Sequence, residues 1–328
     1  MRRIINSLRR NWFVALSILV MLAIIVWSAN GLFGPGTAQK QLRIAVIVEN
    51  DSEDYWTSFK SGLEQSAKEH NVILSYAPSI EFSNISEEKA LIEQEIQAGV
   101  DGVIISMCSD YGAEEVLSKI PYDIPVVLIQ SDITREISDK NKVSTITYDN
   151  SGIGASIVRL IRNDYGDDLG NKTIGIIGGN QRQLGMKNLL LSVKTTLESY
   201  NGDIIWVDST NGSVSSIFES YVEPDILIAL DSKSMKAASG YLMEHPLYGA
   251  DLYGAGSGAT NVYYLERNVI DGMVVSNEFN MGYQSVDCIV DMKRDSGYQM
   301  DAFVDYREVM SSDIYDEDIE RILFPMVQ

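Results

Sequence analysis

Short apolar runs alternate with amphipathic stretches along most of the chain. Ile44–Val48 is a compact run rich in β-branched residues, and after an acidic turn Phe59, Leu63 and Ala67 recur at helical spacing before a second apolar run begins at Val72. Short β-branched runs are typical of buried strands, and apolar residues three or four positions apart are typical of a helix packed on a sheet. This stretch therefore predicts a strand, a helix and a second, parallel strand.

The same alternation continues to the carboxyl terminus. Further buried strands are predicted at residues 103–106, 124–130, 143–147, 173–177, 204–207 and 226–230. Alternating strands and helices are typical of the α/β class with parallel sheets. Because 328 residues are too many for one ordinary core, we expect two Rossmann-like lobes.

Two adjacent aromatic residues follow the first predicted strand, Tyr55 and Trp56. Parallel sheets bind ligands beyond the carboxyl ends of their strands, and aromatic rings there can stack on the apolar face of a sugar. The alternative is that one of the two rings packs under the start of the helix.

Several motifs resemble those of one known family. A helix with the pattern Gly62-x-x-x-x-Ala67 follows the paired aromatics, the run Gly99–Ile105 reads G-V-D-G-V-I-I, and Ile124–Val127 reads I-P-V-V. From about Gln41 to about Val309 the chain resembles the ribose- and galactose-type periplasmic binding proteins, also called type 1 periplasmic binding proteins. The resemblance implies two lobes joined by a multi-strand hinge that close on a sugar, with neither a cofactor nor enzymatic activity.

The resemblance also implies where the chain passes between lobes. The run Asp149–Gly152 resembles the segment at which the family crosses from the first lobe to the second. We expect an amino-terminal lobe of residues 41–148 plus about 277–305, and a carboxy-terminal lobe of residues 149–276 plus about 306–328. Asp149, Asn150 and Ser276 are the predicted hinge residues.

Ligand-binding candidates in the first lobe are Tyr55, Trp56, Asp110 and Gln130. Asp110 lies in the loop after the third strand, where the alternative is that it caps the helix starting near Tyr111. Gln130 stands where many sugar binders of the family carry an Asp-Arg pair that grips ring hydroxyls. This chain lacks that arginine.

Ligand-binding candidates in the second lobe are Asp231, Gly256, Ser276 and Asn277. Asp231 follows a strand, and an alternative role is to cap the next helix. Gly256 replaces the aspartate of the family's G-x-D loop. Because two polar groups of the family are missing, the resemblance implies a ligand other than ribose or galactose.

Residues 1–40 predict a basic tip, a membrane anchor and a linker. Four arginines precede an uncharged run from Trp12 to Trp27, and extending the run to Phe33 gives a length adequate to span the bilayer. By the positive-inside rule the amino terminus stays in the cytoplasm and the body lies outside. We expect an uncleaved single-pass anchor at residues 12–33 in the cell membrane; the alternative is a signal peptide cleaved after Gly31 or Ala38.

The charge of the body excludes one class of partner. Residues 41–328 carry 21 basic and 46 acidic side chains, a net charge of −25. Such a body repels nucleic-acid phosphates and disfavours anionic ligands. We therefore expect a neutral, hydroxyl-rich ligand, most simply a monosaccharide or small oligosaccharide.

The remaining residue types give little sign of other chemistry. Cys108 and Cys288 either form one disulfide or are two free buried thiols, the second being favoured. Two histidines, both expected to end helices, leave no predicted metal site.

Three functions remain open from the sequence. The chain delivers a ligand to the permease of an ABC transporter, or it docks on a membrane histidine kinase as a co-receptor. The third is an NAD-dependent oxidoreductase, since Gly254, Gly256 and Ala259 follow a strand as G-x-G-x-x-A, with Glu278 about twenty residues further on. That motif is weak, and the binding functions are preferred.

Overall fold

The computed structural model describes Trp12, Leu16 and residues 19–24, 41–48, 53–77, 82, 84–131, 142–209, 214–295 and 297–324. The chain divides into two compact units, residues 1–41 and 42–328. In the first unit Trp12, Leu16 and residues 19–24 are helical. Within the described parts of the chain, no helix is both long and apolar enough to cross a membrane. Most of the predicted anchor, residues 12–33, lies outside the described residues.

The second unit contains two six-stranded sheets. The first has the order β11-β5-β4-β3-β1-β2, and all its neighbouring strands are parallel. The second has the order β12-β10-β9-β8-β6-β7, in which β12 alone runs antiparallel to its neighbour. The strands are β1 Arg43–Ile47, β2 Ile73–Tyr76, β3 Gly102–Ile105, β4 Val126–Ile129, β5 Val143–Tyr148, β6 Thr173–Ile177, β7 Asp203–Asp208, β8 Ile226–Ala229, β9 Asp251–Ala255, β10 Gly272–Ser276, β11 Asp301–Val304 and β12 Tyr306–Val309.

Helices connect the parallel strands, as the alternating pattern predicts. They are α1 Glu53–His70, α2 Ile85–Gln97, α3 Ala113–Leu117, α4 Asn150–Tyr165, α5 Leu184–Ser199, α6 Val214–Ser220, α7 Ser232–Glu244, α8 Ala259–Glu266, α9 Glu278–Arg294 and α10 Glu317–Leu323. The predicted α/β class with two lobes and mostly parallel sheets is confirmed.

Each sheet is buried on both faces. In β1, Ala45 and Ile47 belong to one apolar core, whereas Ile44 and Val46 belong to the core on the opposite face. Alternate residues of a strand point to opposite faces, so a continuous apolar run is what a sheet covered by helices on both sides requires. The second sheet likewise separates two cores.

The chain passes between the sheets at three places. Asp149 separates β5 from α4, and its carboxylate accepts a hydrogen bond of 2.9 Å from the Gly152 N–H. Asn277 separates β10 from α9 and accepts one of 2.9 Å from the Asn280 N–H. Asp305 separates β11 from β12. The crossings are adjacent, because Val304 pairs with Tyr148, Tyr306 pairs with Ser276, and the Asn277 N–H donates to the Asp305 carbonyl at 2.8 Å. Their role as a hinge remains a prediction.

Helices α1 and α9 pack unusually closely in the first lobe. A Cβ built on Gly62 would lie 2.0 Å from the Phe279 carbonyl oxygen, and one on Gly282 would lie 2.1 Å from the Phe59 carbonyl oxygen. Only glycine allows the two backbones to approach this far.

The two cysteines lie in separate cores. Cys108 packs on one face of the first sheet and Cys288 on the other, and both are buried thiols outside any disulfide. The preferred interpretation of two buried thiols is therefore confirmed.

Candidate functional site

A cavity lies between the lobes at the carboxyl ends of the strands. Its volume is about 120 Å³. Its lining comprises Trp56, Ser106, Gln130, Tyr148, Asn150, Ile153, Asn180, Gln183, Gly185, Met186, Leu189, Leu230, Asp231, Ser232, Lys233, Ala255, Gly256, Ser257, Val274, Ser276 and Glu278.

A chain of hydrogen bonds forms the first-lobe side of this cavity. The Ser106 hydroxyl donates to Gln130 Oε1 at 3.1 Å, and Gln130 Nε2 donates to the Tyr148 hydroxyl at 3.0 Å. The Tyr148 hydroxyl in turn lies 2.7 and 2.8 Å from the two carboxyl oxygens of Glu278 and donates to them. Every bond is donated in the same direction, so the chain ends at Glu278.

Glu278 is the first residue of α9 and is 4% exposed. Burial raises the pKa of its carboxyl to about 8, because the charged form loses water, while the Tyr148 hydrogen bond acts in the opposite direction. At neutral pH this side chain is therefore mostly an uncharged carboxylic acid.

Gln130 has a backbone conformation that is rare for its residue type. It follows β4 with φ of 58°, in the left-handed region that costs non-glycine residues about 1 kcal/mol or more. Strain of this kind persists where surrounding contacts enforce it and often marks a functional site. Here it accompanies the placement of the Gln130 amide between Ser106 and Tyr148.

Trp56 brings an indole ring to the first-lobe side of the cavity. It is partly buried, lines the cavity and meets Phe59 edge-on with ring centroids 5.2 Å apart. Trp56 therefore packs on the core and also borders the cleft, and its stacking on a ligand remains a prediction. The side chain of Tyr55 lies outside the described residues.

The lobes are in direct contact at the rim of the cleft. The Asp110 carboxylate accepts a hydrogen bond from the Leu184 N–H at the start of α5, and the Asp110 N–H donates to the Arg182 carbonyl at 3.3 Å. Gln183 Nε2 donates to the Met107 carbonyl at 3.0 Å. These bonds join residues 107–110 of the first lobe to residues 182–184 of the second, so the structure shows a closed cleft.

The second lobe contributes mainly short polar side chains. Asp231 lines the cavity and also caps α7, where its carboxylate accepts a hydrogen bond of 2.7 Å from the Ser234 N–H. The Ser232 hydroxyl accepts a bond of 2.9 Å from the Ser257 N–H, which joins the loops after β8 and β9. Among the described lining residues Asp231 and Glu278 carry carboxyl groups, Lys233 carries an amine, and none is an arginine.

The structure brings several predicted site residues together and leaves others apart. The predicted residues that line the cavity are Trp56, Gln130, Asn150, Asp231, Gly256 and Ser276. Those outside the lining are Asp110, which contacts the opposite lobe, and Asp149 and Asn277, which cap α4 and α9. Their roles in ligand binding remain predictions.

The sequence did not lead to Ser106, Tyr148 and Lys233 as candidate site residues. Glu278 was considered only as part of the dinucleotide-binding pattern. Ser106 and Tyr148 each lie at the carboxyl end of a strand, the position that singled out Trp56 and Gln130, so the same rule would have found them. Glu278 carried no such signal, because only the fold shows that it is buried beside Tyr148.

The oxidoreductase interpretation is wrong. Gly254 lies inside β9, where a Cβ would come within 1.8 Å of the Ala229 carbonyl oxygen on β8. That glycine is needed for the approach of two strands rather than for a bound phosphate. Glu278 bonds to Tyr148 at the hinge.

Comparison with known proteins gives the same fold. The chain superposes on a carbohydrate transporter solute binding protein from Agrobacterium radiobacter, solved with D-arabinose, with a TM-score of 0.73 and 14% identity, covering 87% of this chain and 100% of that one. GanP, a glucose-galactose binding protein from Geobacillus stearothermophilus, gives a TM-score of 0.71 at 19% identity, covering 84% of this chain and 100% of that one. XylFII in a XylFII–LytSN complex gives 0.68 at 17% identity, covering 83% and 99% of the two chains.

At such identities the structural similarity shows the fold alone. No curated protein that was compared matches the chain. A model of the periplasmic binding protein domain, however, matches residues 44–295, which include both sheets except for the last two strands. The chain therefore belongs to the periplasmic binding protein domain family, whose members bind solutes and are not enzymes.

Proposed function

We propose that this protein is an extracytoplasmic substrate-binding protein that closes on a small, uncharged, hydroxylated ligand, a sugar, for an ABC transporter. The observation that carries the proposal is the lining of the cleft. The Trp56 ring lines the cleft together with many uncharged hydrogen-bonding side chains, among them Ser106, Gln130, Asn150 and Asn180.

This combination suits a sugar for a physical reason. A sugar ring has apolar faces that stack on aromatic rings and hydroxyls that need both donors and acceptors. Serine hydroxyls and asparagine and glutamine amides offer both.

The electrostatics disfavour anions. The body carries a net charge of −25, and the cavity lining contains Asp231 and Lys233 together with Glu278, which is mostly uncharged at neutral pH. An acidic or phosphorylated ligand would be repelled during approach and would find no arginine among the described lining residues.

Two similar structures support the sugar class. One was solved with D-arabinose, and GanP is a glucose-galactose binding protein. The absence of an arginine from the described lining agrees with a ligand held differently from ribose or galactose in the family that the sequence resembles.

The proposal includes an amino-terminal anchor at residues 12–33 with the body outside the membrane. Its support is the arginine cluster followed by an uncharged apolar run. Mass spectrometry of the purified membrane form tests it. The expected mass is that of an intact amino terminus, and a chain beginning after Gly31 or Ala38 would contradict the anchor.

A second candidate function is a co-receptor for a membrane sensor such as a histidine kinase. It is favoured by the similarity to XylFII, which was solved in complex with a second protein, LytSN. Deleting the gene separates the candidates. Loss of sugar uptake with an intact transcriptional response indicates transport, whereas loss of the response with normal uptake indicates sensing.

A thermal-shift screen tests the ligand class. The panel contains neutral sugars, nucleosides, polyamines and sugar phosphates, and hits are confirmed by calorimetric titration. We expect stabilisation by one or a few neutral sugars with one-to-one binding. Stabilisation by acidic or phosphorylated compounds alone would overturn the proposal.

A further inference from the structure

Few hydrogen-bond donors contact the Glu278 carboxyl. Among the described residues its one hydrogen-bond donor is the Tyr148 hydroxyl, whose single hydrogen is shared between two carboxyl oxygens at 2.7 and 2.8 Å. A buried carboxylate is normally stabilised by two or three donors or by a basic side chain. With 4% exposure, Glu278 has little water to replace them.

The hydrogen bonds around Tyr148 fix the direction of donation. Gln130 Nε2 donates to the Tyr148 oxygen, and the Ser106 hydroxyl donates to Gln130 Oε1. The Tyr148 hydrogen is thereby directed at the Glu278 carboxyl, where it satisfies one of the two oxygens. A proton on the other oxygen can then be donated into the cavity that Glu278 lines.

We propose that Glu278 is a specificity-determining residue that binds the ligand as an uncharged carboxylic acid, donating its proton to an oxygen of a neutral sugar. The inference rests on the proposed function and names one contact within it. This contact would also make binding selective. A carboxylic O–H donates to an acceptor oxygen on the ligand and does not pair with an ammonium group.

The charge state of Glu278 supports this assignment. Burial raises its pKa to about 8, so the acid form predominates at neutral pH, and a carboxylic acid kept neutral in this way can donate a hydrogen bond. Tyr148 on β5 donates a hydrogen bond to Glu278, Asp149 follows Tyr148 in the chain, and Asp231 and Lys233 line the same cavity from the second lobe.

The test measures affinity against pH for the full-length chain in detergent. The probes are D-arabinose, D-xylose, D-glucose and D-galactose, titrated calorimetrically between pH 6 and pH 9.5. For the wild type we expect constant affinity up to about pH 8 and then a loss approaching tenfold per pH unit, because only the protonated form binds.

Three variants locate the effect. Glu278→Gln keeps an N–H donor toward the cleft and cannot ionise, so its affinity is expected to stay within about threefold of the neutral-pH wild type at every pH. Tyr148→Phe removes the bond that lowers the pKa of Glu278, so the pH at which affinity falls should rise. Asp271→Asn is the matched control: Asp271 also has a pKa raised by burial but lies outside the cavity lining, and its variant should reproduce the wild-type profile.

The outcomes separate this inference from the proposed function. A sugar that binds the wild type with the same affinity at pH 6 and pH 9.5 would overturn the role of Glu278 and leave the function intact. Loss of binding in Glu278→Gln with affinity rising with pH in the wild type would instead indicate a carboxylate that accepts hydrogen bonds from the sugar hydroxyls, and it would overturn the neutral-acid role. If none of these sugars binds at any pH, the proposed function fails for them, and this inference fails with it.

Discussion

Asp110 in the first lobe caps a helix of the second lobe, since its carboxylate accepts a hydrogen bond from the Leu184 N–H at the start of α5. The residue at the cap position of α5, Gln183, makes no capping bond with its own side chain. In this closed structure the first lobe therefore supplies the cap of α5, and we expect the cap to couple closure to the stability of α5.

We predict that Asp110→Ala weakens ligand binding by favouring the open form. Loss of a capping side chain costs about 0.5–2 kcal/mol, and here the cost falls on the closed state alone. The expected result is an affinity about 2–30-fold lower with faster dissociation, measured by stopped-flow fluorescence.

Asn84→Ala is the control for that variant. Asn84 caps α2 within the first lobe, where its side chain accepts bonds of 2.9 and 3.3 Å from the Ser86 and Glu87 N–H groups. Its loss should lower the melting temperature and leave ligand dissociation unchanged. Unaltered affinity and dissociation in Asp110→Ala would show that the contact does not stabilise closure.

We predict that Trp56→Ala damages ligand binding more than folding. Truncating a desolvated aromatic anchor commonly costs about 2–4 kcal/mol of binding energy, which corresponds to a 30- to 1000-fold weaker complex. Trp206→Ala is the comparison, because Trp206 is buried in the second lobe, where it stacks on Tyr221, and lies outside the cavity lining. It should lower stability and spare affinity. Normal affinity in Trp56→Ala with a lowered melting temperature would assign Trp56 to the core alone.

The sequence predicts the strands of the fold and part of the candidate site. Buried strands such as Val126–Ile129 are continuous apolar runs, so their existence and their parallel pairing follow from the pattern. Trp56 and Gln130 were found because residues after such strands meet at one edge of a sheet.

The contacts of Asp110 and Glu278 could not be found in that way. Asp110 bonds to a backbone group 74 positions away, and the Glu278 carboxyl bonds to a side chain 130 positions away. Such partners depend on how the two lobes close and on where α9 begins, and neither is encoded in local periodicity. The burial of Glu278, which decides its charge, is equally a property of the assembled fold.

We predict that Gly62→Ala is strongly destabilising. The added Cβ would lie 2.0 Å from the Phe279 carbonyl oxygen, so α1 and α9 would have to separate. Gly240→Ala is the matched control, because the nearest atom to its Cβ would be the Tyr264 hydroxyl at 3.6 Å. There the better helix propensity of alanine should add up to about 1 kcal/mol. Chemical denaturation measures both, and similar free energies of unfolding for the two variants would disprove close packing at Gly62.

We predict that Asp271→Asn stabilises the protein most at neutral and alkaline pH. Burial raises the pKa of Asp271 to about 6 from 3.8, so the folded state binds more protons than the unfolded state between these values. The wild-type side chain therefore costs stability as pH rises through about 6, by at most roughly 3 kcal/mol. Asparagine lacks this cost and its carbonyl can still accept the Leu252 N–H bond of 2.8 Å.

Melting temperatures of the two proteins between pH 4 and pH 8 check that prediction. The advantage of the variant should grow from pH 4 to pH 8. An advantage that is constant or that shrinks with rising pH would contradict the charge state assigned to Asp271.

The central claim is that a neutral sugar binds in the cleft beside Trp56, and tryptophan fluorescence measures this most directly. The full-length chain, Trp56→Phe and Trp206→Phe are each titrated to saturation with a sugar that stabilises the wild type in the thermal-shift screen. We predict a change in emission that persists in Trp206→Phe and disappears in Trp56→Phe, since Trp56 lines the cavity and Trp206 does not. A change that survives in Trp56→Phe and is lost in Trp206→Phe would place the ligand elsewhere and contradict the account.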